Sequence, residues 1–157
     1  MKRPLALRFL PVFLLVLPSL AGVGSDKTAY VGGTEKIDEG VEGSASTGNE
    51  KEFIYEYPSG ELIIPYDQVD DLEYGEKAGR RVGLAIAVNP LFLFSKKKRH
   101  FLTIGWKDEQ SKQHAAVFEL GKSIIRSTIE VLEQKTGKKV DFQDEDARKN
   151  ATAKGGV

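Results

Sequence analysis

FLTIGWKDEQSKQHAAVFELGKSIIRSTIEVL, residues 101–132, decides the fold. Its first six residues alternate, with Leu102, Ile104 and Trp106 on one face of an extended segment and Phe101, Thr103 and Gly105 on the other; period two is the signature of a strand. Residues 107–112 are polar and of hairpin length, and residues 114–120 return as the partner strand. The period then changes. At 100° per residue, Ile124, Ile125, Thr128, Ile129, Val131 and Leu132 fall within an arc of about 160°. Lys122, Ser123, Arg126, Ser127, Glu130, Glu133 and Gln134 occupy the rest, so this is a helix with one face built to be buried. Gly137 stands where a C-terminal cap belongs, and no capping box marks the start.

Upstream, Phe53, Tyr55 and Tyr57 alternate with Glu52, Ile54 and Glu56, Pro58-Ser59-Gly60 makes a turn, and Leu62-Ile63-Ile64 returns as the second strand of a hairpin. Asp70, Leu72 and Tyr74 share one face of the next segment, Asp71 and Glu73 the other, and Gly75 ends it. Residues 22–51 are rich in glycine, serine and charge; they read as a short strand near 28–31, a bulge or bend at Gly32-Gly33 and weak strands beyond. From Asp141 the chain is charged and then small and polar, with Phe142 its only large apolar residue before Val157, so residues 141–157 read as a flexible charged tail. Strands in hairpin order followed by one amphipathic helix imply an α+β, mostly β domain over residues 22–140. About seven strands would form a curved antiparallel sheet or partly open barrel, with the C-terminal helix plugging its open end.

That arrangement resembles the pleckstrin-homology-like fold. The Ile64-Pro65-Tyr66-Asp67-Gln68-Val69 step, with Leu72 following, is similar to bacterial members of that superfold, where an apolar-x-Tyr-x-x-apolar step marks one strand turning into the next. Residues 27–140 resemble small exported bacterial proteins of unknown function, including the Tyr30-Val31-Gly32-Gly33-Thr34 opening and the Lys98-Arg99-His100-Phe101-Leu102-Thr103-Ile104 segment. The resemblance implies a PH-like fold and no activity, because the superfold hosts lipid, peptide and protein binding alike.

Residues 1–21 read as an export signal. Lys2, Arg3 and Arg8 supply positive charge, residues 9–17 a short apolar run broken by Pro11, and Ser19-Leu20-Ala21 small residues at a cleavage site. A spanning helix needs about 20 apolar residues, and this run is about half that, ended by Pro18. Cleavage after Ala21 and a periplasmic or extracellular, bacterial address are the expectations. Removing residues 1–21 leaves 20 cations against 23 carboxylates, a net charge of about −3, which argues against a general nucleic-acid binder. The chain has no cysteine, so no disulfide closes a loop and stability rests on packing.

No residue cluster demands a particular chemistry. Without cysteine, and with only His100 and His114 as ordinary bases, no nucleophile is placed by spacing to complete a triad, although the two histidines can meet across a hairpin. Zinc sites usually collect three or four ligands, and two histidines do not suffice. Asp67, Asp70, Asp71 and Glu73 form an acidic group whose spacing does not follow a calcium loop. Gly32-Gly33 lacks the helix of a phosphate cradle. The expectation is therefore a non-enzymatic domain with no cofactor and no metal.

Residues 76–100 exceed what a fold needs. Arg80-Arg81 precedes an uncharged run over residues 83–94, divided by Asn89-Pro90 and closed by Lys96-Lys97-Lys98-Arg99. Apolar surface flanked by cations suits a membrane interface, where cations meet anionic headgroups. Three readings stay open: a core strand with its closing turn, a partner or self-association surface, and membrane contact. The candidate interaction surface comprises Arg80, Arg81, Leu91, Phe92, Phe94, Lys96, Lys97, Lys98 and Arg99. The Leu91 to Phe94 end is expected to be partly exposed, since it adjoins four cations that must reach water. The leading function is binding of a protein, peptide or envelope component; anionic-lipid binding is the alternative, and an envelope enzyme a weaker one.

Overall fold

A computed structural model describes residues 26–77 and 98–153, and within them eight strands form one mixed sheet. The strands are β1 (Thr28–Gly33), β2 (Val41–Ser46), β3 (Glu52–Tyr57), β4 (Gly60–Pro65), β5 (Val69–Gly75), β6 (Phe101–Lys107), β7 (Gln113–Leu120) and β8 (Asp141–Phe142). Their order in the sheet is β4-β3-β2-β1-β7-β6-β5-β8. Two helices follow β7: α1 (Ile125–Thr136) and, after β8, α2 (Glu145–Thr152).

The order itself requires a curled sheet. β4 and β5 are joined only by the 3₁₀ turn Tyr66–Gln68, yet five strands separate them in the sheet. Laid flat at ~4.8 Å per strand they would stand about 29 Å apart, whereas the short link reaches about 14 Å at most. The sheet therefore rolls until its two ends approach, and Tyr66, 3% exposed, faces into the roll. Closure is not completed: the outer edge of β5 pairs with β8.

The inner face carries the alternation read from sequence. Tyr30, Phe53, Tyr55, Ile64, Leu72, Tyr74, Leu102, Ile104, Trp106 and Phe118 form one buried cluster. Buried phenols need a hydrogen-bond partner, and two of these tyrosines find it on backbone: Tyr55 Oη donates to Val41 O (2.6 Å) and Tyr30 Oη to Glu35 O (3.3 Å). On β6 and β7 the opposite face is buried as well, at Phe101, Thr103, Ala115, Val117 and Glu119. The bulge expected at Gly32-Gly33 falls one residue earlier: the β1–β7 register shifts between Tyr30 and Gly32 and leaves Val31 as the extra residue, while Gly32 and Gly33 pair with Val117 and Ala116. A Cβ on Gly33 would overlap Ala115 O and the Tyr30 hydroxyl.

Helix α1 turns Ile125, Thr128, Ile129 and Leu132 onto this core. Gly137 ends it in the left-handed region at φ 68°, and Ile124 heads it without a side-chain cap. Lys135 Nζ reaches Thr47 O (3.1 Å) and Asn49 O (2.6 Å) and lies over the Tyr66 ring, pinning the helix end to the β2–β3 loop.

Two expectations are corrected. Residues 141–153 are not a loose tail: β8 pairs in parallel with β5 at Glu73↔Asp141 and Tyr74↔Phe142, so the sheet is mixed, and α2 buries Ala147 and Ala151 against the core. Asp144 caps α2, its side chain accepting from Ala147 N (2.7 Å). Asp70 does not share a face with Leu72, because the register shifts between Val69 and Asp71 and leaves Asp70 as the extra residue of a bulge. Extra residues of this kind leave the ladder and re-aim their side chains.

Candidate functional site

The two histidines mark opposite ends of the β6–β7 hairpin and do not meet. His114 stands opposite Trp106 in the ladder, whereas His100 O accepts from Leu120 N (2.8 Å) at the far end. The sequence expectation that they can meet fails because each begins its own strand and the strands run antiparallel.

His100, 7% exposed, places Nδ1 2.8 Å from the Tyr74 hydroxyl, with the two rings nearly parallel at 2°. Burial, and then the Lys122 charge, hold the imidazole below its ordinary value of 6.5. Burial likewise pushes the Tyr74 phenol well above its ordinary 10.0. A protonated phenol and a neutral ring hydrogen-bond in the sense the ring's tautomer sets, so the pair is a buried structural hydrogen bond.

His114 is held differently. Nδ1 lies 2.8 Å from Glu35 Oε1 in the β1–β2 loop, and Nε2 lies 3.0 Å from Asp108 Oδ2 in the β6–β7 turn. Its ring stacks on Trp106 at 5.4 Å. Burial works against the charged ring, but the hydrogen bonds and charges of Asp108 and Glu35 outweigh it and raise the pKa above 6.5. The His114 hydrogen bond, followed by those from backbone N–H groups, holds Asp108 below its ordinary 3.8. Sequence reasoning missed both carboxylates. Asp108 was legible as the first residue of the turn after β6, where a short acidic side chain bonds the backbone beyond it: Oδ1 accepts from Gln110 N (2.9 Å) and Lys112 N (2.8 Å).

Thr34 Oγ1 lies 3.5 Å from His114 Nδ1, so a hydroxyl, an imidazole and a carboxylate do stand in line. This hydroxyl also accepts from Ala115 N (3.1 Å) and donates towards Ala115 O (3.3 Å), which ties it to the β1–β7 seam. The arrangement joins strands and lacks a nucleophile held ready for attack.

Of the acidic group, Asp70 faces Lys107 (3.7 Å) and accepts from Gln113 Nε2 (3.0 Å), and Glu73 accepts from Gln143 Nε2 (2.8 Å). Among the described residues no three histidine, aspartate or glutamate side chains are grouped to hold a metal ion.

Of the candidate interaction surface, Arg80, Arg81, Leu91, Phe92, Phe94, Lys96 and Lys97 lie outside the described residues. Lys98 is exposed and pairs with Glu76 at 3.2 Å. Arg99 is not a surface cation: it is 5% exposed, and its Nη1 lies 3.1 Å from Glu119 Oε2. The four basic residues therefore do not act as one solvated cluster, because the last of them turns back into the sheet to meet a buried carboxylate. Among the described residues no helix is long and apolar enough to cross a membrane. No protein-family model, curated protein or solved structure matches the chain.

Proposed function

We propose that the chain is a non-enzymatic, exported binding domain of PH-like architecture that recognises a protein, peptide or envelope component. The observation that carries this reading is that both histidines and the hydroxyls beside them are engaged within the fold. Both nitrogens of His114, the Thr34 hydroxyl and the Tyr74–His100 pair join strands and loops to one another. A general base needs a reacting group within hydrogen-bond reach, and these groups are spent on structure. The PH-like assignment is supported by the rolled order β4-β3-β2-β1-β7-β6-β5 with α1 against the core. Export is supported by the charge, apolar run and small residues of positions 1–21.

The anionic-lipid alternative loses Arg99 from its set of cations, since that guanidinium pairs with Glu119. Sedimentation with anionic liposomes at two salt concentrations separates the readings, because attraction through exposed lysines weakens as salt screens it. Binding that is absent at both concentrations, together with saturable capture of an envelope component, is the expected result. Salt-sensitive liposome binding would favour the alternative.

A further inference from the structure

A neutral imidazole carries one N–H, yet both ring nitrogens of His114 sit at hydrogen-bonding distance from carboxylate oxygens, 2.8 Å from Glu35 and 3.0 Å from Asp108. Only the doubly protonated ring can donate to both. Once the proton leaves, one nitrogen presents a lone pair to an oxygen that also presents lone pairs, and that contact must open.

The surroundings decide which contact opens. Asp108 is held by its own turn through Gln110 N and Lys112 N, so its carboxylate stays where it is. Glu35 extends from the loop between β1 and β2. Beside it, Thr34 Oγ1 lies 3.5 Å from Nδ1 and is fixed by accepting from Ala115 N; its one proton, within reach of Glu35 Oε1 (3.2 Å) and Ala115 O (3.3 Å), can turn instead to an unprotonated Nδ1. Two arrangements are thus built in: Nδ1–H to Glu35 when the ring is charged, and Thr34 O–H to Nδ1 when it is neutral.

We propose that His114 is a pH-operated latch that ties the β1–β2 loop to the β6–β7 hairpin when protonated and releases the loop when neutral. The loop covers part of the core: Ile37 packs against the buried cluster, and Glu35 O accepts from the Tyr30 hydroxyl. Release at Glu35 loosens the cover over that end of the roll. The charges facing the ring are Glu35 from the loop and Asp108 from the hairpin, and Trp106 of β6 covers one ring face. Asp70 of β5 reaches neighbouring Gln113 and faces Lys107. The two carboxylates hold the ring charged above its ordinary 6.5, so the latch is closed at acidic pH and opens as pH rises through the folded value.

The test is NMR on the full chain: the His114 ring is titrated while amide exchange is followed at Gly40 and Val41, whose N–H groups donate to Tyr30 O and Asp38 O at the end of the loop, corrected for the intrinsic pH dependence of exchange. Protection of the loop should fall by about fivefold in step with loss of the His114 proton, the worth of one partly exposed ion pair. In His114→Gln the step should vanish and the loop should show the open-state protection at every pH. Glu35→Gln keeps the histidine and serves should His114→Gln not fold; it should lower the His114 midpoint and abolish the step. Loop protection unchanged across the His114 titration, or the same step surviving in either variant, overturns the proposal.

Discussion

Arg99 and Glu119 form an ion pair at 3.1 Å with side chains only 4% and 6% exposed, linking the residue that precedes His100 to the penultimate residue of β7. Breaking a buried pair from one side costs far more than the pair contributes, because the remaining charge keeps its burial and loses that attraction. Glu119→Ala should therefore destabilise by about 3 to 5 kcal/mol in a urea titration. Replacing both partners together, as Arg99→Met with Glu119→Leu, should recover most of that loss. A Glu119→Ala effect below about 0.5 kcal/mol, the scale of a surface change, would show that the carboxylate is not holding the guanidinium in place.

Helix α1 offers a paired test. Leu132 is fully buried, whereas Glu130 is exposed and pairs with Arg126 at 2.6 Å. Leu132→Ala should cost about 2 to 5 kcal/mol and Glu130→Ala less than about 0.5. Equal effects would mean that the helix does not seal the roll.

The C-terminal segment gives a third. Asp144→Ala should destabilise by about 0.5 to 2 kcal/mol through loss of the cap on Ala147 N. Ending the chain at Val140 should cost about 2 to 4 kcal/mol through lost burial. An unchanged unfolding midpoint in the shortened chain would restore the reading of a free tail.

Acid should weaken the fold through His100. Its pKa is lowered from 6.5 in the folded state, so above 6.5 the ring is neutral folded and unfolded and adds no pH dependence. As pH falls from 6.5 towards the folded value, the unfolded chain binds the proton first and stability is lost. His114, raised above 6.5, works in the opposite direction, stabilising most below 6.5 and losing that contribution as pH rises through its folded value. Relative to the midpoint at pH 7.5, the urea midpoint at about pH 5.5 should therefore rise in His100→Phe and fall in His114→Gln, each compared with the parent. The reverse pattern would mean that the two rings had been assigned the wrong environments.

Sequence made β3, β6 and α1 legible because their apolar residues follow period two or 3.6 over six or more positions, as at Phe53, Tyr55 and Tyr57 or Ile125, Ile129 and Leu132. Where that signal was thin the reading failed. Helix α2 buries only Ala147 and Ala151, and β8 has two residues, so neither rises above the surrounding charge. The Asp70 bulge breaks a period of two by one residue, which shows only in the pairing with β6. Glu35, Asp108 and His114 are separated by 79 and 6 residues in the chain, and only the sheet order brings them together. Arg99 looked like the end of a solvated run because its partner, Glu119, lies 20 residues away on the neighbouring strand.

The most direct test of the binding-domain account is the double change Leu91→Ser and Phe92→Ser, followed by the thermal midpoint and by capture of envelope components on the immobilised protein. Buried apolar side chains contribute ~1.5 to 3 kcal/mol each, so a core location makes this replacement unfold the domain. The account predicts a midpoint within about 3 °C of the parent, less than a 1 kcal/mol loss would produce, together with loss of capture. An unfolded double variant would contradict it, placing those residues in the core and removing the surface on which the account relies.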